Sequence, residues 1–215
     1  MISWMNKYND SKRSNIVLLV ILTSFAMLTL FVNMAKANAS SDHQQSKIKV
    51  DQELKHALAK AVANADSFDD EFEAQVWLVD MSARLKRYIK DPEERLHLLR
   101  MVHKEATRAE ISPELVISVI HVESAFNSYA VSYVGAQGLM QVMPFWKKEL
   151  GRGDDNLIDT NTNLRYGCTI LKHYLDREKG DWTRALARYN GSLGRTKYPE
   201  KVMNFWQKYW FVNHQ

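Results

Sequence analysis

The sequence predicts an all-α fold, on three observations. Apolar residues recur at intervals of three and four, and no convincing series of alternating strands is present. All four prolines fall where a helix would begin, two of them directly behind an Asp or Ser cap. Only eight glycines occur in 215 residues, too few for a loop-rich architecture.

The chain opens on a predicted export segment. Lys7, Lys12 and Arg13 precede an uncharged, mostly apolar run from Ile16 to Val32, and Ala37-Asn38-Ala39 stands ahead of Ser40. A basic start, an apolar run and a small-x-small cleavage pattern read as a secretory signal over residues 1–39. The run is also about the minimum length for a bilayer span, so a retained anchor and membrane attachment through residues 16–32 stay open. Both readings keep the basic end inside and export the remainder, with the periplasm as the expected compartment. No cysteine lies near the segment, so a lipid anchor on an N-terminal Cys is not expected.

Ser40 to Ser46 reads as a polar linker. Residues 47–63 pattern as a helix with Val50, Leu54, Ala57, Leu58 and Ala61 on one stripe. Residues 68–89 pattern as another, with Phe72, Val76, Val79 and Leu85 recurring at helical intervals. Residues 40–90 are therefore a helical extension ahead of a main domain at 91–215. In that domain Asp91-Pro92-Glu93-Glu94 supplies an N-cap, a proline at N1 and a glutamate at N3. Ser112-Pro113 repeats the cap and proline. Pro144 opens a short helix through Leu150, ended near Gly151. Asn161 to Lys179 reads helical with Gly180 just past its end, and Asp181 to Tyr189 forms a further helix stopped at Asn190-Gly191. Pro199 opens a last helix with Val202, Phe205, Trp206 and Tyr209 inward.

Charge and cysteine count exclude several function classes. The net charge is +4, but residues 1–39 hold Lys7, Lys12, Arg13 and Lys36 against Asp10, leaving 25 basic and 24 acidic side chains beyond. A body at +1 lacks the basic excess of a nucleic-acid binder. The single Cys168 rules out an intramolecular disulfide framework and a Cys-based zinc cluster. The seven histidines show no metal-ligand spacing.

The chemistry concentrates between Pro113 and Met143. A helix from Pro113 places Val116, Val119, Ile120 and Glu123 on one face, so three apolar side chains precede a carboxylate at its end. Desolvation disfavours the charged form, and a carboxyl kept protonated near neutrality can donate a proton to a leaving oxygen. The bland alternative is a helix-end Glu paired with a nearby Arg or Lys. Beyond the helix, Gly135 and Gly138 suggest a tight loop where backbone comes close to another surface.

Three motifs resemble the family 1 lytic transglycosylases, the soluble-lytic-transglycosylase-like enzymes with a goose-lysozyme-like fold. They are Glu123-Ser-x-Phe126-Asn127, Gly138-Leu-Met-Gln-x-Met143-Pro144, and Ala187-Arg-Tyr-Asn-Gly191. The resemblance covers roughly Asp91 to Asn204. It implies a lysozyme-like catalytic domain that cleaves the MurNAc-GlcNAc β-1,4 bond of peptidoglycan and closes a 1,6-anhydro ring. It also implies Glu123 as the single general acid and base, and no metal or organic cofactor. Ser132 matches a serine near the muramyl N-acetyl group, and Gln141 and Met143 match residues lining sugar subsites. Tyr189 matches a tyrosine whose hydroxyl reaches toward the catalytic carboxyl, and Asn190 follows it in the motif. Ser124 and Asn127 are expected to fix the loop, and Leu139 and Met140 to join the core.

The third motif departs from the common form, which has a small residue where Arg188 stands and Ala-Gly after the Asn. This form is closer to the C-type membrane-bound members of the family. Implied partners are peptidoglycan strands, with general wall turnover and service to a secretion or conjugation apparatus both open. Two other readings remain: a muramidase that hydrolyses the same bond, and a non-catalytic peptidoglycan-binding or assembly module. A glycosidase that hydrolyses usually holds two carboxylates, and Glu149, Asp154, Asp155 and Asp159 are expected to be surface charges and helix caps instead. His121, two residues before Glu123, is expected to face away from it; Cys168 is expected to be a buried, inert thiol.

Overall fold

The computed structural model describes residues 67–212 except Asp69, together with Leu58 and Ala61. These fall in one compact unit that begins at Leu54. The predicted export segment, the predicted linker and most of the predicted 47–63 helix lie outside the described residues. Among the described residues there are only helices, with two isolated β-bridges and no strand. None of these helices is long and apolar enough to cross a membrane.

Seven α-helices follow in order: α1 (Glu71–Leu85), α2 (Pro92–Arg108), α3 (Pro113–Glu123), α4 (Trp146–Leu150), α5 (Thr160–Arg177), α6 (Trp182–Tyr189) and α7 (Lys197–Phe205). A π turn, Trp206–Trp210, follows α7, with the Phe211 N–H reaching back to Trp206 O. The predicted starts of α2 and α3 are built as their chemistry dictates: Asp91 accepts from Glu93 N, Ser112 accepts from Leu115 N, and each proline sits in the first turn. Asp159 and Asp181 cap α5 and α6 in the same manner. The α4 helix begins two residues after Pro144, because the bonds from Trp146 N to Met143 O and Lys147 N to Pro144 O make its approach a tight turn.

The inward face of α1 differs from the predicted one. Phe72, Val76 and Val79 are exposed, and only Leu85 of the predicted stripe is buried. The buried stripe is Ala74, Trp77, Leu78, Met81 and Leu85, an equally good helical repeat offset around the axis. Tryptophan decides between the two. Trp77 carries the largest apolar area on the helix, and its indole N–H finds a buried partner in Glu114 Oε1 at 2.6 Å. Glu114 also accepts from Ser112 Oγ at 2.6 Å, so α1 is locked to the first turn of α3.

The last predicted face shifts too. Val202 is fully buried, Phe205, Trp206 and Tyr209 are half-buried, and Trp210 goes to the core instead. The π turn advances each residue by less than an α-helix would, which swings Trp210 inward.

Helix α3 is the axis of the domain. From Leu115 to Ile120 every residue is buried, and α2, α7 and the π turn pack around it. Its back is fastened by His121, which is buried as expected of a residue facing away from Glu123. Trp210 Nε1 donates to His121 Nδ1 at 3.1 Å, which leaves Nε2 to carry the ring proton toward Tyr88 Oη at 2.6 Å. Burial, with Arg87 and Lys201 nearby, pushes the His121 imidazole down to about 4, so it is neutral. Cys168 is fully buried and free, its thiol pushed far up by burial.

Candidate active site

Glu123 is the last residue of α3 and stands where the apolar face of that helix meets solvent. Val116, Val119 and Ile120, one to two turns back, are fully buried, while Glu123 is half-buried. Burial raises its carboxyl above the ordinary range, against a hydrogen bond from Tyr198 and the charge of Lys201, both of which lower it. Among the described residues no Lys or Arg forms an ion pair with it, so the bland reading of a helix-end ion pair does not hold. Among the described residues, no second carboxylate stands among the groups that shift it most. Asp159 caps α5, and Asp155 accepts from Tyr166 Oη at 2.5 Å and from Arg152 N at 3.0 Å, so both have structural work elsewhere.

The phenol that reaches Glu123 is Tyr198, near the start of α7. Its hydroxyl donates to Glu123 Oε1 at 2.5 Å. The motif residue Tyr189, expected to reach toward the carboxyl, feels its charge while its hydroxyl donates to Met140 O at 2.7 Å. Tyr189 ends α6 beneath the Gly138–Gln141 turn, where the Met140 carbonyl is the acceptor in reach. Tyr198 comes from the following helix, which packs on α3 directly. Both phenols are held well above their ordinary range by burial and by the nearby Glu123 carboxyl, so both remain hydrogen-bond donors.

The loop after Glu123 is a frame of hydrogen bonds. Ser124 Oγ donates to Ile120 O at 3.2 Å, and Asn127 Oδ1 accepts from Tyr129 N at 3.0 Å, so both fix the chain as expected. Ser132 closes a turn: its N–H donates to Ala136 O at 2.9 Å and its Oγ accepts from Ala136 N at 3.0 Å, which leaves the hydroxyl proton to give. Gln141 spends both amide protons on Ala130 O at 3.1 Å and Gly138 O at 2.9 Å, leaving its Oε1 as an acceptor. Met143 is half-buried, and Asn190 is exposed at the C-cap of α6. Leu139 and Met140 are buried in the core.

Gly138 shows why the turn needs a glycine. Its φ is +74°, and a Cβ there would lie 2.4 Å from Asn163 Nδ2 and 2.6 Å from Leu157 O. The neighbour it admits is a residue the sequence did not reveal. Asn163, fully buried in the first turn of α5, accepts from Met140 N at 2.8 Å and donates to Gln137 O and Leu157 O, each at 2.8 Å. One side chain thereby holds both sides of the turn that carries Gln141. Among the described residues no group of His, Cys, Asp and Glu is arranged to hold a metal ion.

The family model described as the transglycosylase SLT domain matches residues 100–210. The chain belongs to the transglycosylase SLT domain family. A transglycosylase of Enterobacteria phage PRD1 is 41% identical over 100 residues, covering 43% of this chain and 37% of that protein. A membrane-bound lytic murein transglycosylase C of Haemophilus influenzae (strain PittEE) is 46% identical over 112 residues, covering 45% of this chain and 31% of that protein. The chain thus spans well under half the length of these relatives. Among solved structures, an inactive mutant of the lytic transglycosylase Slt from Pseudomonas aeruginosa superposes with a TM-score of 0.43 at 23% identity, covering 68% of this chain and 29% of that one.

The SLT domain contains Glu123, Ser132, Gln141, Met143, Tyr189, Asn190, Asn163 and Tyr198. Its unusual Arg188 has a local explanation. Arg188 and Arg184 both pair with Glu178, whose side chain is buried just past the end of α5, so the guanidinium ties α6 to α5. The two residues missed from sequence lie outside the quoted motifs. Tyr198 stands directly before Pro199, where the sequence predicts only a helix start, and Asn163 lies within 161–179, which the sequence predicts only as helix.

Proposed function

We propose that this protein is a peptidoglycan lytic transglycosylase that cleaves the MurNAc-GlcNAc β-1,4 bond without a water nucleophile. The observation that carries the reading is Glu123: a carboxyl raised by burial, at the open end of an apolar helix face and held by a phenol. Family membership supports the same substrate.

Tyr198 stays protonated, so Oε1 is an acceptor and the acidic proton of Glu123 sits on Oε2. That proton passes to the glycosidic oxygen as the C1–O bond breaks. The carboxylate left behind is stabilised by the Tyr198 hydroxyl and by Lys201. It then takes the proton of the muramyl C6 hydroxyl as that oxygen bonds to C1, which closes the 1,6-anhydro ring and restores the acid. Two carboxylates are needed when water must be activated on the opposite face; an internal hydroxyl needs one residue acting twice. Ser132, with a free hydroxyl proton, and Gln141, with a free Oε1, offer a donor and an acceptor to the sugars. Met143, Tyr189 and Asn190 complete the walls. The substrate is met outside the cytoplasm, in the periplasm, after export directed by residues 1–39.

Mass analysis of muropeptides released from purified sacculi tests the reading. Anhydro ends, one water lighter than reducing ends, are expected from the wild type, and none from Glu123→Gln. Reducing ends would make the enzyme a muramidase. Cleavage by Glu123→Gln at the wild-type rate would remove Glu123 from the chemistry.

A further inference from the structure

The loop between Glu123 and the Gly138 turn displays four apolar side chains to solvent. Tyr133 is wholly exposed, and Tyr129, Val134 and Val131 are 78%, 69% and 62% exposed. Two aromatic rings and two valines, all exposed within six consecutive residues, point to a contact surface. The glycan reading of the site does not assign these rings a role.

We infer that Tyr129 and Tyr133 form a stacking platform for sugar rings that extends the glycan groove beyond the subsites next to Glu123. Three observations carry the inference. The first is rigidity. Ala130 O accepts from Gly138 N at 2.8 Å and from Gln141 Nε2 at 3.1 Å, Tyr129 N is bound by Asn127 Oδ1, and Ser132 and Ala136 bond to each other twice. Bridges join Val131 to Gln137 and Gln137 to Val142. Rings mounted on such a frame lose little freedom when they bind.

The second observation is position. The frame is fastened through Gln141 to the turn whose Met140 carbonyl receives Tyr189 Oη, and Tyr189 feels the charge of Glu123. The platform is therefore built onto the wall that carries the candidate active site. The third observation is charge. From Ser124 to Trp146 the sequence contains no Asp, Glu, Lys, Arg or His. Acidic peptide stems and anionic lipid headgroups both call for Lys or Arg at the contact. An uncharged surface with phenol rings suits a neutral sugar, which offers an apolar ring face to the aromatic and hydroxyls to its polar tip.

This inference rests on the glycan reading, and the experiment separates the two. Binding of the β-1,4-linked N-acetylglucosamine trimer and hexamer to the full-length Glu123→Gln chain is measured by calorimetry, alone and with Tyr129→Ala/Tyr133→Ala added. The hexamer is expected to bind tighter than the trimer. The double change is expected to weaken the hexamer about tenfold, as truncating interface aromatics does, and to leave the trimer as it was. Unchanged hexamer affinity overturns the platform while the glycan site stands. So does an equal loss for both oligomers, which would mean that the loop acts through the shape of the inner site. Retained hexamer affinity with lost binding to phosphatidylglycerol vesicles would make the patch a lipid-facing surface and overturn it as well. A Glu123→Gln chain that binds neither oligomer overturns the glycan reading and the platform together.

Discussion

Replacing Asn163 with alanine tests whether a single amide builds the floor of the site. The Asn163 side chain makes three hydrogen bonds, all to backbone groups of other segments. Gln137 O keeps a second partner in Val142 N, but Met140 N and Leu157 O lose the partner that Asn163 supplies, and both residues are buried. A buried polar group left without a partner costs about 1–3 kcal/mol. Two such groups give a loss of roughly 2–6 kcal/mol. For a domain of this size each kcal/mol lowers the melting temperature by about 2–4 °C, so the middle of that range predicts a fall of roughly 8–16 °C. Urea unfolding followed by circular dichroism measures the loss. Asn161→Ala, exposed in the same first turn, should change stability by less than about 0.5 kcal/mol. Cleavage should fall with Asn163→Ala even at temperatures where the variant is folded, because the Gly138–Gln141 turn is no longer held from below. A loss under about 1 kcal/mol with full activity would refute the argument that Asn163 organises this wall.

Three further outcomes follow from the geometry. Tyr198→Phe removes the hydrogen bond that stabilises the ionised form of Glu123; the alkaline limb of the pH–rate profile should move to higher pH, with a fall of about 10–100-fold in maximal rate, the size of a hydrogen bond to a charged group. An unmoved limb would detach Tyr198 from the acid. Glu123 is raised in the folded state, so its contribution to stability is full below its unfolded value near 4.5 and is lost as pH rises through the folded value. Glu123→Gln should therefore melt higher than wild type at neutral pH, with the advantage fading in acid; a lower melting temperature at pH 7 would count against the desolvated carboxyl. His121 runs in the opposite sense. Its folded value is depressed to about 4 from 6.5, so stability present above 6.5 is lost as pH falls toward 4. His121→Phe should be less stable throughout, having stripped Tyr88 and Trp210 of their shared partner, and should lose that slope in pH-dependent melts.

Local chemistry in the sequence was enough wherever one residue determines its own surroundings. Asp91 and Ser112 cap helices because their side chains reach backbone N–H groups two or three residues on, a relation written in adjacent positions. The raised carboxyl of Glu123 follows from the periodicity of one helix. What was not legible depends on partners far along the chain. Phe72, Val76 and Val79 compete with Leu78 and Met81 for the inside of α1, and Glu114, 37 residues from Trp77, decides the contest. Tyr198 lies 75 residues from Glu123, and Tyr189 had the better motif. Asn163 gave no signal, because a buried amide and a solvated one look alike until the backbone it serves is folded around it.

The fastening behind α3 bears on how the protein is made. Arg84 donates to Tyr209 O across 125 positions and to Phe211 O across 127, and Trp210 joins His121 across 89. Such distant pairings form late and slowly. During synthesis the segment bearing Glu123 emerges long before its rear brace, so the nascent chain has no finished domain until the stretch through Phe211 has left the ribosome. A site assembled in this order stays unfinished for as long as its last helix is still being synthesised.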